Sequence, residues 1–136
     1  MLIREGDNFL EMIAAPGNPQ YDTGVSFEIK VQSFGFTGQG SMYVDDLSLK
    51  SFYEQLQKLE NQRQGKVELS SMPLQVWLKI CSIDSLGHMA LFGRISRWEV
   101  VLRCEHILEF GFSFDPTLLP SIVKYFETVV SGRFNL

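Results

Sequence analysis

The chain has 136 residues, 45% apolar and 12% aromatic, with eleven phenylalanines, enough to bury one core without disulfides or metal. Its formal charge of −4, spread along the chain and mixed with bases, argues against a nucleic-acid partner, which would need Lys and Arg gathered on one face. No run of about 18 apolar residues is available to span a membrane, and the charged start "MLIREGDNFLEMI" is unlike a signal peptide. A cytoplasmic protein folded as a single domain over residues 1–136 is therefore expected.

The first strand is predicted near residues 8–14. It leads into a loop over "APGNPQYDTG", residues 15–24, where Pro, Gly, Asn and Asp supply turn conformations. In "VSFEIKVQSF" Val25, Phe27, Ile29 and Val31 alternate with Ser26, Glu28, Lys30 and Gln32, the period of a half-buried antiparallel strand. The alternation continues through "FGFTGQGSMYVDD", which puts Phe34, Phe36, Gly38, Gly40, Met42 and Val44 on one face and leaves two glycines where core side chains belong.

From Asp45 the period changes. Leu49, Phe52, Leu56 and Leu59 form a helical stripe, and Asp45 or Asp46 caps a helix over residues 46–62 that stops before Gly65. "KVELS" and "LQVWLKICSI" alternate again, "DSLG" is a turn, and "HMALFGRIS" is the hairpin partner. "RWEVVLRCEH" is ambiguous, because the consecutive Val100, Val101 and Leu102 imply either a bulge or a strand buried on both faces. In "HILEFGFSF" Leu108, Phe110, Phe112 and Phe114 line one face, and a second helix follows over residues 117–131, capped by Thr117, with Pro120 in its first turn and Gly132 as its stop. The expected fold is α+β: a meandering antiparallel sheet of about six to seven strands with both helices packed on one face.

Chemistry is harder to find. Gly35, Gly38 and Gly40 spell G-x-x-G-x-G, not the dinucleotide G-x-G-x-x-G, and two aspartates at the helix start would repel phosphate. Asp45 and Asp46 have no further metal-ligand spacing around them, so helix capping is the expected role. His88, His106, Cys81 and Cys104 could meet across strands, but none sits in a nucleophile motif. His88 suits an exposed hairpin position, His106 a strand edge, and the two cysteines reduced, buried thiols, conceivably neighbours in a sheet. Glu28, Glu68, Glu99, Glu105 and Glu109 all fall on strands without any pair being singled out. Trp77 is expected in the core, and Trp98, between Arg97 and Glu99, at the surface.

Two stretches carry a family resemblance. "FTGQGSMYVDDLSLKSFYEQLQKL", followed by Gly65, resembles the strand and helix of the bacterial WapI-type immunity proteins. "LEFGFSFDPTLLP" is similar to that family's L-x-F-x-F-x-x-D-x-T-x-L-P junction, with Leu108, Phe110, Phe112, Asp115, Thr117, Leu119 and Pro120 at matching positions. The resemblance spans roughly residues 25–125; the first thirty residues do not match visibly, and "RWEVVLRCEH" departs from the pattern. Membership implies a small cytosolic protein made beside a polymorphic toxin, which binds the toxin's C-terminal domain and inhibits it by occlusion.

The leading expectation is thus a non-enzymatic immunity or interaction protein, with no cofactor, metal or catalytic residue, monomeric or a small homo-oligomer. Its partner would be a cognate toxin C-terminal domain, not nucleic acid or membrane, with Trp98 and Tyr43 as candidate partner-binding residues. The rivals are a small-ligand or carbohydrate-binding domain using an open sheet face with the same two aromatics, and a hydrolase whose constellation the sequence does not display.

Overall fold

A computed structural model describes residues 1–15, 22–71 and 75–134, with Phe134 described in its backbone only. Most of the loop expected at residues 15–24, and Leu74 at the head of "LQVWLKICSI", lie outside the described residues. The chain is α+β, as expected. β1 (Leu2–Glu5), β2 (Asn8–Ala14), β3 (Gly24–Ser33) and β4 (Phe36–Asp45) form one antiparallel sheet in sequential order. After α1 (Asp46–Gln62), the strands β5 (Lys66–Ser70), β6 (Val76–Ser82), β7 (Met89–Glu99) and β8 (Cys104–Phe114) form a second, and α2 (Leu119–Phe134) closes the chain.

The strands are thus eight, divided between two sheets, where one sheet of about six to seven was expected. The strand missed is β1, which turns through Gly6 at φ 60° and pairs Glu5 with Asn8; at four residues it is too short to show a period. The division follows from α1, which interrupts the meander between β4 and β5.

Within each strand the alternation holds. Phe27, Ile29 and Val31 point inward from β3, Leu78 and Ile80 from β6, and Phe110, Phe112 and Phe114 from β8. The two inward faces meet at one corner, where β4 crosses the second sheet. Val76, Ile95 and Leu108 are register partners across β6, β7 and β8 and make a row perpendicular to those strands. β4 lies along this row. A Cβ on Gly40 would stand 3.0 Å from Ile95 Cγ2, and one on Gly38 would stand 2.6 Å from Leu108 Cδ2. Glycine is required at both points because two backbones approach more closely than side chains allow.

Away from that corner the sheets diverge, and the helices fill the space between them rather than covering one face of a single sheet. Phe126 of α2 packs against Phe52 of α1 at 4.9 Å between ring centroids, and against Phe27 of β3 at 6.3 Å. One contiguous apolar cluster draws on both sheets and both helices.

α1 occupies the residues expected. Asp45 is its cap, its carboxylate accepting from the Ser48 N–H at 3.1 Å, while Asp46 instead takes both Nε (2.8 Å) and Nη2 (3.0 Å) of Arg133. The second helix differs at both ends. Asp115, not Thr117, is the capping residue: its carboxylate accepts from the Thr117 N–H at 2.9 Å and opens a single 3-10 turn, Pro116–Leu118, before α2 begins. Pro120 does sit in the first turn of α2. Gly132 does not stop the helix, which continues to Phe134 because Arg133 is anchored on Asp46 and on the carbonyl of Asp22.

Two predictions follow from this packing. Gly38→Val should destabilise the fold by about 1–3 kcal/mol, as overpacking does, whereas Gly132→Ala, whose Cβ would meet open space on a helix, should be neutral or stabilising by up to about 1 kcal/mol; urea midpoints would rank them, and an unchanged Gly38→Val would refute the crossing. The second concerns acid. Hydrogen bonds from Ser48 hold Asp45 below the ordinary carboxylate value, and those from Thr117 do the same for Asp115. Carboxylates depressed in the folded state add stability that is complete above their unfolded pKa, about 4, and is lost as pH falls through the folded value. A plot of melting temperature against pH should therefore drop on the acid side, and the Asp45→Asn, Asp115→Asn double variant should flatten that limb while keeping both caps.

Candidate interaction surface

Beyond the Ile95–Leu108 pair, β7 and β8 run on as a two-stranded arm through Ser96–Ile107, Arg97–His106, Trp98–Glu105 and Glu99–Cys104. The first sheet no longer covers them there. The loop at its tip is Val100 to Arg103, closed by Arg103 at φ 52° and held by the Glu99 carboxylate, which accepts from the Val101 N–H at 2.8 Å. Val100, Val101 and Leu102 are therefore neither a bulge nor a doubly buried strand. They are a hairpin loop, exposed by 74%, 87% and 71%. Trp98 is exposed on the outer face of the arm, as expected, with Ile107 on the same face of β8.

A second apolar feature stands at the β3–β4 turn. Ser33 pairs with Phe36, so the loop is the two residues Phe34 and Gly35, with φ of 52° and 86°. Positive φ at both positions is the hairpin geometry that favours Asn-Gly, and a phenylalanine at the first is strained. The Asn8 side chain steadies it by accepting from the Phe34 N–H at 2.8 Å. Phe34 and Phe36, expected on the core face, are instead among the most exposed aromatics. Their parity is right, but β4 has by then run past the edge of the sheet it crosses. Ser33, just before the turn, donates to the Gly111 carbonyl at 3.2 Å, which places this turn beside β8.

Tyr43, the other candidate, is elsewhere. It lies on the outer face of β4, its hydroxyl 2.6 Å from Thr23 Oγ1, at the wall of a cleft of about 460 Å³ that also has Asp22 and Arg133 in its lining. Tyr43 and Trp98 belong to different sheets, and the structure does not bring them together.

Nor does it assemble a reactive centre from the other residues weighed. His88 is exposed, as expected, and bonded to the Asp84 carboxylate, which it holds below its ordinary value. Cys81 lies opposite Ala90, whereas Cys104 lies opposite Glu99 on the arm, so the cysteines are not neighbours; both are free and half-buried rather than buried. Cys104 Sγ is 3.6 Å from His106 Nε2, an exposed pair on the arm away from the clefts described. Glu28 accepts from Ser41 at 2.7 Å, Glu109 faces Arg94 at 3.9 Å, and Glu105 stands opposite Trp98. Trp77, expected in the core, is half-buried on the outer face of β6, opposite Arg94, because its position is one residue out of phase with Val76 and Leu78. Among the described residues no group of three or more His, Cys, Asp or Glu is placed to hold a metal ion, and no helix is long and apolar enough to cross a membrane.

Sequence analysis missed Phe34, Phe36 and the Val100–Leu102 loop as surface residues. Phe34→Asn separates their local cost from their use: it relieves the left-handed strain and should raise stability by about 1 kcal/mol in denaturant melts, while weakening binding of any partner that uses this turn.

No family model matches the chain, and no curated protein matches it in sequence. Its fold is similar to that of the plant transcriptional regulator PBF-2, with a TM-score of 0.52 and 10% identity over 96% of this chain and 79% of that one. At that identity the likeness is one of architecture: two four-stranded sheets held by helices.

Proposed function

We propose that this chain is a non-enzymatic immunity protein of the bacterial cytoplasm, which binds the C-terminal domain of a cognate toxin and inhibits it by covering it. The observation that carries the reading is the projecting arm, where Trp98, Val100, Val101, Leu102 and Ile107 present a run of apolar side chains to solvent. Contiguous exposed apolar surface of this kind marks protein-binding sites, and a tryptophan with aliphatic neighbours is the usual composition of their centres. The likeness of "FTGQGSMYVDDLSL" and "LEFGFSFDPTLLP" to the WapI-type pattern supplies the partner class. The small-ligand or carbohydrate alternative would use the cleft at Tyr43. It has less support, because Tyr43 is bonded to Thr23 and Arg133 to Asp46 and Asp22, so the polar side chains there are already engaged with one another.

Co-expression with the toxin domain encoded beside its gene tests the proposal. Growth should be rescued and a complex should elute together from a sizing column; Val101→Asp should lower the affinity at least tenfold without changing the melting temperature. A toxin that neither binds nor is neutralised overturns the reading.

A further inference from the structure

The geometry points to a strand-addition site on the free edge of β8, over Cys104–Glu109, which takes an extended partner segment carrying lysine or arginine on either side of an apolar residue. This names the mode and the chemistry of binding for the surface of the proposed function, and rests on that reading.

β8 is the last strand of its sheet. Its C-terminal half is approached by the first sheet through the Ser33 bond to Gly111, but among the described residues no hydrogen bond reaches the outer edge of Cys104–Glu109. An uncovered strand edge presents alternate N–H and C=O groups to any chain of matching conformation.

β4 then supplies a roof. It runs perpendicular to β8, with Gly40 over Ile95 and Gly38 over Leu108. Two further residues advance a strand by about 6.8 Å, more than the spacing of about 4.8 Å between neighbouring strands. Phe36, on the same face as Gly38, therefore stands over the lane that a ninth strand would occupy. It is 68% exposed because that lane is open. An apolar side chain on the inner face of an added strand would pack beneath its ring.

Charge selects the occupant. On the outer face β8 presents Glu105, Ile107 and Glu109 in succession, and Arg94 engages Glu109 only at 3.9 Å, leaving that carboxylate 71% exposed. An incoming strand meets this row with a cation, an apolar residue and a cation. A second copy of the chain is disfavoured: antiparallel self-pairing centred on Ile107 sets Glu105 against Glu109 twice, and like charges directly opposed across a pair destabilise it.

The probe is the peptide acetyl-SKLVLKS-amide, titrated into the full-length protein while its backbone amides are followed by NMR. Shifts and slowed hydrogen exchange should centre on residues 104–109, and acetyl-SELVLES-amide should bind at least tenfold more weakly. Phe36→Ala should cost the lysine peptide about tenfold at an unchanged melting temperature, and Glu105→Lys with Glu109→Gln should abolish the preference between the peptides. No binding, equal affinity for both peptides, or shifts centred elsewhere overturns the proposal. So does a dimer in sedimentation that Ile107→Pro makes monomeric, since the edge would then be filled by a second copy. The two readings fail separately: peptide binding without toxin neutralisation removes the toxin alone, and neutralisation without peptide binding removes strand addition alone.

Discussion

Everything in this fold is arranged around the crossing of β4 over the row Val76–Ile95–Leu108. Two sheets normally stack about 10 Å apart with side chains between them. Here Gly38 and Gly40 bring β4 down onto Ile95 and Leu108 themselves, so the sheets touch at one corner and open away from it. The opening is what makes room for α1 and α2, and Phe52, Phe126 and Phe27 fill it with edge-on and tilted ring contacts. Such rings each bury a large apolar area, and their geometry adds about 0.5–1.5 kcal/mol per pair beyond it.

The helices are then pinned at their ends. Asp45 and Asp115 satisfy N–H groups that a helix start leaves without partners, and the two-pronged bond from Arg133 to Asp46 ties the last turn of α2 to the first turn of α1. The same arginine reaches the Asp22 carbonyl and so fastens the approach to β3. Its side chain is nearly buried, at 8% exposure, and a charge in that position persists only because its donors are met.

Against this closed interior, the exposed apolar groups are unusual in being concentrated. The arm of β7 and β8 extends past the crossing, where the first sheet cannot cover it, and the β3–β4 turn overruns the edge of β8. A protein that needed only to fold would place Asn at position 34 and polar residues at 100–102, and would guard the β8 edge. Retaining Phe34 at positive φ and three aliphatics in a loop carries a cost in stability and solubility that a binding role accounts for.

Local chemistry was enough to determine most of the elements. Period-two alternation identified the interior of β2 to β8, the stripe Leu49–Phe52–Leu56–Leu59 and the cap Asp45 placed α1 to the residue, and the out-of-period glycines at 38 and 40 signalled a close approach without saying to what. Trp98 was legible as exposed from its charged neighbours. The rest depended on partners distant in sequence. Phe34 and Phe36 obey the alternation of a core face, yet lie beyond the sheet that would have buried them; Trp77 and the Val100–Leu102 run read as interior for the same reason. The division into two sheets, the separation of Tyr43 from Trp98, and the open lane beside β8 were likewise decided by tertiary structure. Alternation reports which side of a strand a residue faces, but only the packing of one sheet against the other decides whether anything stands opposite it.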